Sequence, residues 1–311
     1  LKSTIWIFAL FFCLNTVGQN NNEFYQKALK YASINNIEEA LSTIEKAINL
    51  EGDKTPELFY FHKYEYLVKL QKIDLGLQTL NHALYKLPNS VLLLNTRAEH
   101  FLVFKVYKKA VLDYQKITTL VKGKDFVGYK LKLASCKFSI RDFEGVALVL
   151  QEIFKEDPSN VEALNLLASL YVELLNYTKA EQILYKLINE NNSQIFAIIN
   201  LGYVYQKKGK HQEAVSCFNR ALKLDPNNPI ALSNRAYSEL IMSNIDEAFL
   251  DINKSIDLLP SNTYAYMIRG KIYLSINNIR EACMNFAIAK HLNFSEQYGG
   301  EVNELIVKNC Q

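Results

Sequence analysis

The chain has 311 residues, 49% of them hydrophobic, and its 35 Lys and Arg nearly balance 32 Asp and Glu for a formal net charge of +3. That charge is too mild to suggest a nucleic-acid partner, and the basic residues are read as dispersed. Half the residues being apolar is enough for a continuous core, and 11 Gly and 6 Pro leave no flexible linker or second domain to expect.

The chain opens with Lys2, an apolar run from Ile5 to Leu14, and then Asn15, Thr16, Val17 and Gly18. A basic start, a short apolar run and small residues before a break predict a secretory signal peptide over residues 1–18, cut after Gly18. A spanning helix needs about 20 apolar residues, so a stable membrane span is not expected; an uncleaved anchor is the alternative. Phe12 stands where lipidation at Cys13 would want Gly or Ala, which argues against a lipoprotein. The first residue is Leu, not Met.

From Asn21 onward a 34-residue pattern recurs, in units 21–54, 57–90, 91–124, 127–160, 161–194, 195–228, 229–262 and 263–296. Counting each unit's first residue as 1, small residues fall at offsets 8 and 20, as in Ala28 and Ala40, Ala98 and Ala110, Ala168 and Ala180, Gly202 and Ala214, or Gly270 and Ala282. Bulky residues fall at offsets 7, 11 and 24, as in Leu201, Tyr205 and Phe218. The small residues let two helices approach, and the bulky ones fill the space between them at helical spacing. Tyr64 and Gly76 exchange the expected sizes in the second unit, and Val146 replaces the usual Ala. Pro158, Pro226 and Pro260 stop second helices, while Asn35, Ser243 and Asn277 stand in the turns between paired helices. Asp125 and Phe126 read as an insertion between units. A helix pair of this kind cannot bury its own apolar face, so stacked copies must share a core.

This set of positions resembles the tetratricopeptide repeat (TPR) family, over about residues 21–296. The resemblance implies an all-α, right-handed superhelical solenoid of about eight helix pairs, filling residues 19–311 with a capping helix at 298–310. It also implies a concave face, lined by each first helix, that binds other proteins. On that face the family's offsets put Phe196, Ile199, Asn200 and Tyr203 in one unit, Asn234 and Tyr237 in the next, and Tyr264, Met267 and Lys271 in the last. Asn200 and Asn234 share an offset, as do Tyr203 and Tyr237, so a peptide backbone held by Asn and Tyr hydrogen bonds is the expected ligand. A solvated or packed role for the same residues is the plain alternative. The offsets where some relatives clamp a C-terminal carboxylate hold Ile199, Tyr203, Asn234, Tyr264 and Ile268, of which only Asn234 agrees with that clamp.

The tail, with Ala282, Cys283, Gly299, Gly300 and Cys310, resembles the closing segment of exported bacterial TPR proteins. That likeness implies a Cys283–Cys310 disulfide, which would contribute about 3–4 kcal/mol in the chain-entropy model; two free thiols are the alternative. Cys136 and Cys217 read as small buried hydrophobes. The five His are scattered, with no metal-ligand spacing, and no phosphate-cradling Gly loop or nucleophile elbow stands out. The expectation is therefore a non-enzymatic scaffold without metal or cofactor, exported to the periplasm or beyond in a bacterium. Its partners would be peptides or proteins. The competing expectation is a structural component of an envelope or secretion assembly that uses convex or edge surfaces.

Overall fold

The computed structural model describes residues 23–191, 194–294 and 299–310. The predicted signal, residues 1–18, lies outside them. The described residues form seventeen α-helices and a short 3-10 turn, with no strand among them. Eight helix pairs follow one another: α1 (Glu23–Ser33) with α2 (Ile37–Glu51), α3 (Glu57–Lys69) with α4 (Ile73–Lys86), α5 (Val91–Val103) with α6 (Tyr107–Leu120), and α7 (Gly123–Ser139) with α8 (Phe143–Glu156). Then come α9 (Val161–Glu173) with α10 (Tyr177–Glu190), α11 (Ile195–Lys207) with α12 (His211–Leu224), α13 (Pro229–Ile241) with α14 (Ile245–Leu258), and α15 (Thr263–Ser275) with α16 (Ile279–His291). A last helix, α17, spans Glu301–Asn309. Asp125 and Phe126, read as an insertion between units, lie inside α7, which starts at Gly123 with φ +64° and runs 17 residues where α9 and α11 have 13.

The chain divides inside α5 into two compact units, one up to Leu93 and one from Leu94 onward. In the first, α1 to α4 enclose a core of Ala28, Ala40, Ile44, Ala47, Phe59 and Leu67. There the Tyr64 ring lies 3.2 Å from where a Cβ on Gly76 would stand, so the exchanged sizes complement each other across the pair. In the second unit the ordinary arrangement holds. Phe218 presses on Gly202, and Phe286 on Gly270, so closely that a Cβ on either glycine would lie 2.5 or 2.4 Å from the ring.

One corner geometry repeats eight times. The residue at offset 15 takes a positive φ in every pair: Asn35, Gln71, Lys105, Arg141, Leu175, Gly209, Ser243 and Asn277. The next amide donates back five residues, as from Asn36 N to Tyr31 O at 3.0 Å and from Asn278 N to Tyr273 O at 2.9 Å, which satisfies carbonyls left open at the helix end. Asn36, Asp142, Asn176 and Asn278 then cap the following helix with their side chains.

Offset 7 departs from the expected filling role in three pairs. Arg97, Arg235 and Arg269 reach across to Asp113, Asp251 and Asn285 on the second helix, and all three of those partners are buried. A planar guanidinium can satisfy a buried carboxylate with two parallel hydrogen bonds, so the stem packs while the head pairs. In the second unit the first helices touch in series, α7 with α9, α9 with α11, α11 with α13 and α13 with α15, which gives the unit a layer of first helices.

Candidate partner-binding face

The predicted residues divide into two groups. Phe196 is 70% exposed on α11, and Asn200, Tyr203, Tyr237, Tyr264 and Lys271 are part-buried. Ile199, Asn234 and Met267 are buried instead. Ile199 belongs to the core formed with Leu201, Phe218 and Ala231, and Met267 to the core formed with Ile268, Phe286 and Val302. Asn234 turns inward. Its Nδ2 donates to Ile230 O at 2.9 Å, one turn back on the same helix. The pair of Asn at one offset is therefore not an open ladder: neighbouring helices close over that offset at α13.

What remains open is organised around two tyrosines. Lys207 Nζ lies 5.1 Å from the Tyr203 ring centroid and Lys271 Nζ 5.4 Å from that of Tyr237. A cation over a tyrosine face holds the ring in place while leaving its edge available. Tyr237 is flanked on its other sides by His211, centroids 6.0 Å apart, and by Tyr264 at 6.5 Å. Lys271 also pairs with Glu301 of α17. Burial, then the charge of Glu173, push the Tyr203 hydroxyl pKa well up against the opposing effect of Arg141, so it stays a neutral donor and acceptor. Arg141 and Glu173 pair with each other at 3.2 Å.

Gln206 is a residue that sequence reasoning missed. It is buried, and its Nε2 donates to Asn234 O at 2.6 Å and to Ser238 Oγ at 2.8 Å, tying α11 to α13. Its offset, 12, lies on the face assigned to ligands, and the small hydroxyl of Ser238 on the facing helix was the available signal. His211 is one of the five scattered His. Its ring lies beside Tyr237, and burial lowers its pKa.

Residues 195–228 match the tetratricopeptide repeat family model. Solved structures agree over longer stretches. A tetratricopeptide repeat protein from Parabacteroides merdae matches at TM-score 0.50 with 20% identity, over 93% of this chain and all of the other. A thermophilic TPR protein of Thermus thermophilus matches at TM-score 0.50 with 18% identity, over 59% of this chain and 97% of its own. The APC/C hetero-tetramer Cut9–Hcn1 matches at TM-score 0.56 with 14% identity, over 86% of this chain and 58% of that one. The fold is that of a TPR solenoid. No curated protein matches the chain.

In the last TPR, α17 packs Val302, Leu305 and Ile306 against α15 and α16. Cys283 on α16 and Cys310 after α17 bring their Cα atoms to 5.6 Å, inside the usual disulfide range. Cys136 is buried and Cys217 half-buried, and burial pushes their thiols up to about 12 and about 11, which keeps both protonated and unreactive. Among the described residues no three His, Cys, Asp or Glu gather where they could hold a metal, and no helix is long and apolar enough to cross a membrane.

Proposed function

We propose that this chain is a non-enzymatic scaffold whose first helices α11, α13 and α15 hold a peptide or protein partner. The observation that carries the reading is a tyrosine at one offset of consecutive repeats, each with a lysine over its ring: Tyr203 with Lys207 of its own helix, and Tyr237 with Lys271 of α15. Both tyrosines keep exposed surface at one offset of consecutive repeats, and Phe196, two turns before Tyr203 on α11, is exposed as well. Tyrosine combines apolar contact with a hydroxyl, and such residues dominate binding energy at interfaces. TPRs in general mediate protein–protein interaction, which supports the same reading. Titration against a peptide library tests it. Changing Tyr203 and Tyr237 to Ala should weaken the selected peptide about thirtyfold or more, as for hot-spot residues; an unchanged affinity overturns the assignment.

A second reading, a structural part of an envelope assembly, has its own observation. Leu112, Leu148, Leu250 and Met284 hold one offset on second helices and are 49–73% exposed. Site-specific crosslinking in cells separates the two, because adducts from Phe196 support a bound peptide and adducts from Leu250 support assembly through second helices.

We also propose that the protein is exported and that a Cys283–Cys310 disulfide fastens α17 to α16. The signal-like start and the approach of the two cysteines support this, since disulfides persist in oxidising compartments. Intact mass before and after reduction decides it: a bridged protein gains two hydrogens, and no gain rejects the bond.

A further inference from the structure

The near balance of charge over the whole chain conceals a local excess. From Lys105 to Lys137 the sequence carries nine lysines, two aspartates, and neither glutamate nor arginine. With the whole chain at only +3, the remainder is net acidic. Four of the nine lysines have partners elsewhere. Lys105 Nζ donates to the carbonyls of Ser261 at 2.7 Å and Leu292 at 3.5 Å, Lys130 pairs with Glu152, Lys132 with Glu99, and Lys137 with Asp142. Lys109 lies over the Phe101 ring. Lys108, Lys116, Lys122 and Lys124 are exposed and form no ion pair among the described residues.

Lys108 and Lys116 sit on α6, Lys122 in the turn that follows it, and Lys124 in the first turn of α7. α6 sends Ala110, Tyr114 and Ile117 into the core, so its other side presents Lys108, Leu112 and Lys116, spaced four residues apart and hence on one face. Leu112 is 65% exposed between the two lysines, and Leu120 is exposed at the end of the helix. The face therefore interleaves ammonium groups with bare aliphatic side chains on a solvated helix.

That combination narrows the partner. Nucleic acid favours arginine, whose planar fork reads phosphates and bases bidentately, and the stretch has none. A peptide wants a groove, and this is the outer side of a helix. A bilayer with anionic headgroups needs no shape complementarity. It attracts lysines at its surface and takes up aliphatic side chains at the headgroup–acyl boundary. We propose that α6, the turn after it and the start of α7 form a docking surface for an anionic lipid bilayer, with Lys108, Lys116, Lys122 and Lys124 on headgroups and Leu112 and Leu120 at the acyl boundary. The proposal is independent of the peptide-binding reading.

Co-sedimentation of the full chain with vesicles tests it. The protein should sediment with phosphatidylglycerol–phosphatidylcholine vesicles at about 50 mM salt, not with phosphatidylcholine alone, and should be released near 1 M salt, where screening is short-ranged. Changing Lys108, Lys116 and Lys124 to Glu should weaken binding more than a hundredfold, since each lysine near such a surface is worth about fivefold. Leu112→Ser should weaken it at unchanged charge. Glu at Lys155, Lys223 and Lys290, exposed positions outside the stretch, should leave most binding intact, and far-UV circular dichroism reports whether each variant keeps its helices. Three outcomes would overturn the proposal: no sedimentation with anionic vesicles, equal loss in both triple variants, or binding to polyglutamate or a DNA duplex but not to vesicles.

Discussion

Arg235 grips Asp251 with two hydrogen bonds, Nε to Oδ2 at 2.6 Å and Nη2 to Oδ1 at 2.7 Å, and extends Nη1 to Asn219 Oδ1 at 2.6 Å. One side chain thus links α12, α13 and α14, two consecutive repeats. Asp251 is only 4% exposed, so its carboxylate depends on the guanidinium. Arg235→Ala should lower stability by about 3 kcal/mol, the low end for breaking a buried pair, because the arginine is itself partly exposed. Replacing both with Met and Leu should recover most of that loss, since the penalty lies in the stranded charge. Urea midpoints of the single and double variants check both statements, and a double variant no better than the single one would refute this account.

Glycines on two first helices of the second unit, Gly128 on α7 and Gly202 on α11, should respond in opposite ways. Ala at Gly128 meets nothing within 4 Å and should stabilise by about 0.5–1 kcal/mol through helix propensity. Ala at Gly202 would drive its Cβ against the fully buried Phe218 ring, and overpacking of about 1–3 kcal/mol outweighs that gain. Thermal unfolding of the two variants should move the melting temperature up and down respectively.

Leu175 holds φ +59° with 72% of its surface exposed. An L-residue in that conformation is strained by about 1–2 kcal/mol, and glycine is not. Leu175→Gly should therefore stabilise the chain by about 1 kcal/mol, although it removes a large apolar side chain. A lowered urea midpoint would show that Leu175 packs more usefully than its exposure indicates.

Asp142 caps α8 and pairs with Lys137, Oδ1 accepting from Gly145 N at 3.0 Å and Oδ2 from Lys137 Nζ at 2.5 Å. The Lys137 hydrogen bond foremost, helped by the Gly145 amide and opposed by partial burial, holds its pKa below the usual aspartate value. The folded pKa is thus below the unfolded one, near 3.9, and the unfolded chain binds the proton more readily. Stability from this group is complete above the unfolded value and is lost as pH falls through the folded one. Asp142→Asn should flatten that part of the stability–pH curve, measured by urea unfolding between about pH 3 and 7, and Asp142→Ala should cost roughly 1 kcal/mol at neutral pH.

The helix pairs were legible because each repeat restates the same local signals. Alanines or glycines at offsets 8 and 20, prolines after second helices and asparagines at corners all agree, and each acts over a few residues. Gln71, Lys105, Arg141 and Leu175 were not legible as corner residues, because their side chains carry no preference for positive φ. There the stacked helices impose the conformation. The buried side of the ligand face was also hidden. Whether Ile199, Asn234 or Met267 meets solvent depends on how closely the next helix lies, which one sequence offset does not encode. Arg97, Arg235 and Arg269 read as fillers because their partners lie 16 residues away on another helix.

Tyr64 over Gly76 has a meaning for how this chain could be rebuilt. In that pair the large residue comes from the first helix and the small one from the second, the reverse of Gly202 with Phe218. A chimera that joined α3 to α12 would set two rings against each other, and one that joined α11 to α4 would leave a hollow. Transplanting α3 and α4 together keeps the fit. The exchangeable part of this array is the helix pair, and single helices are not modular even where their offsets align.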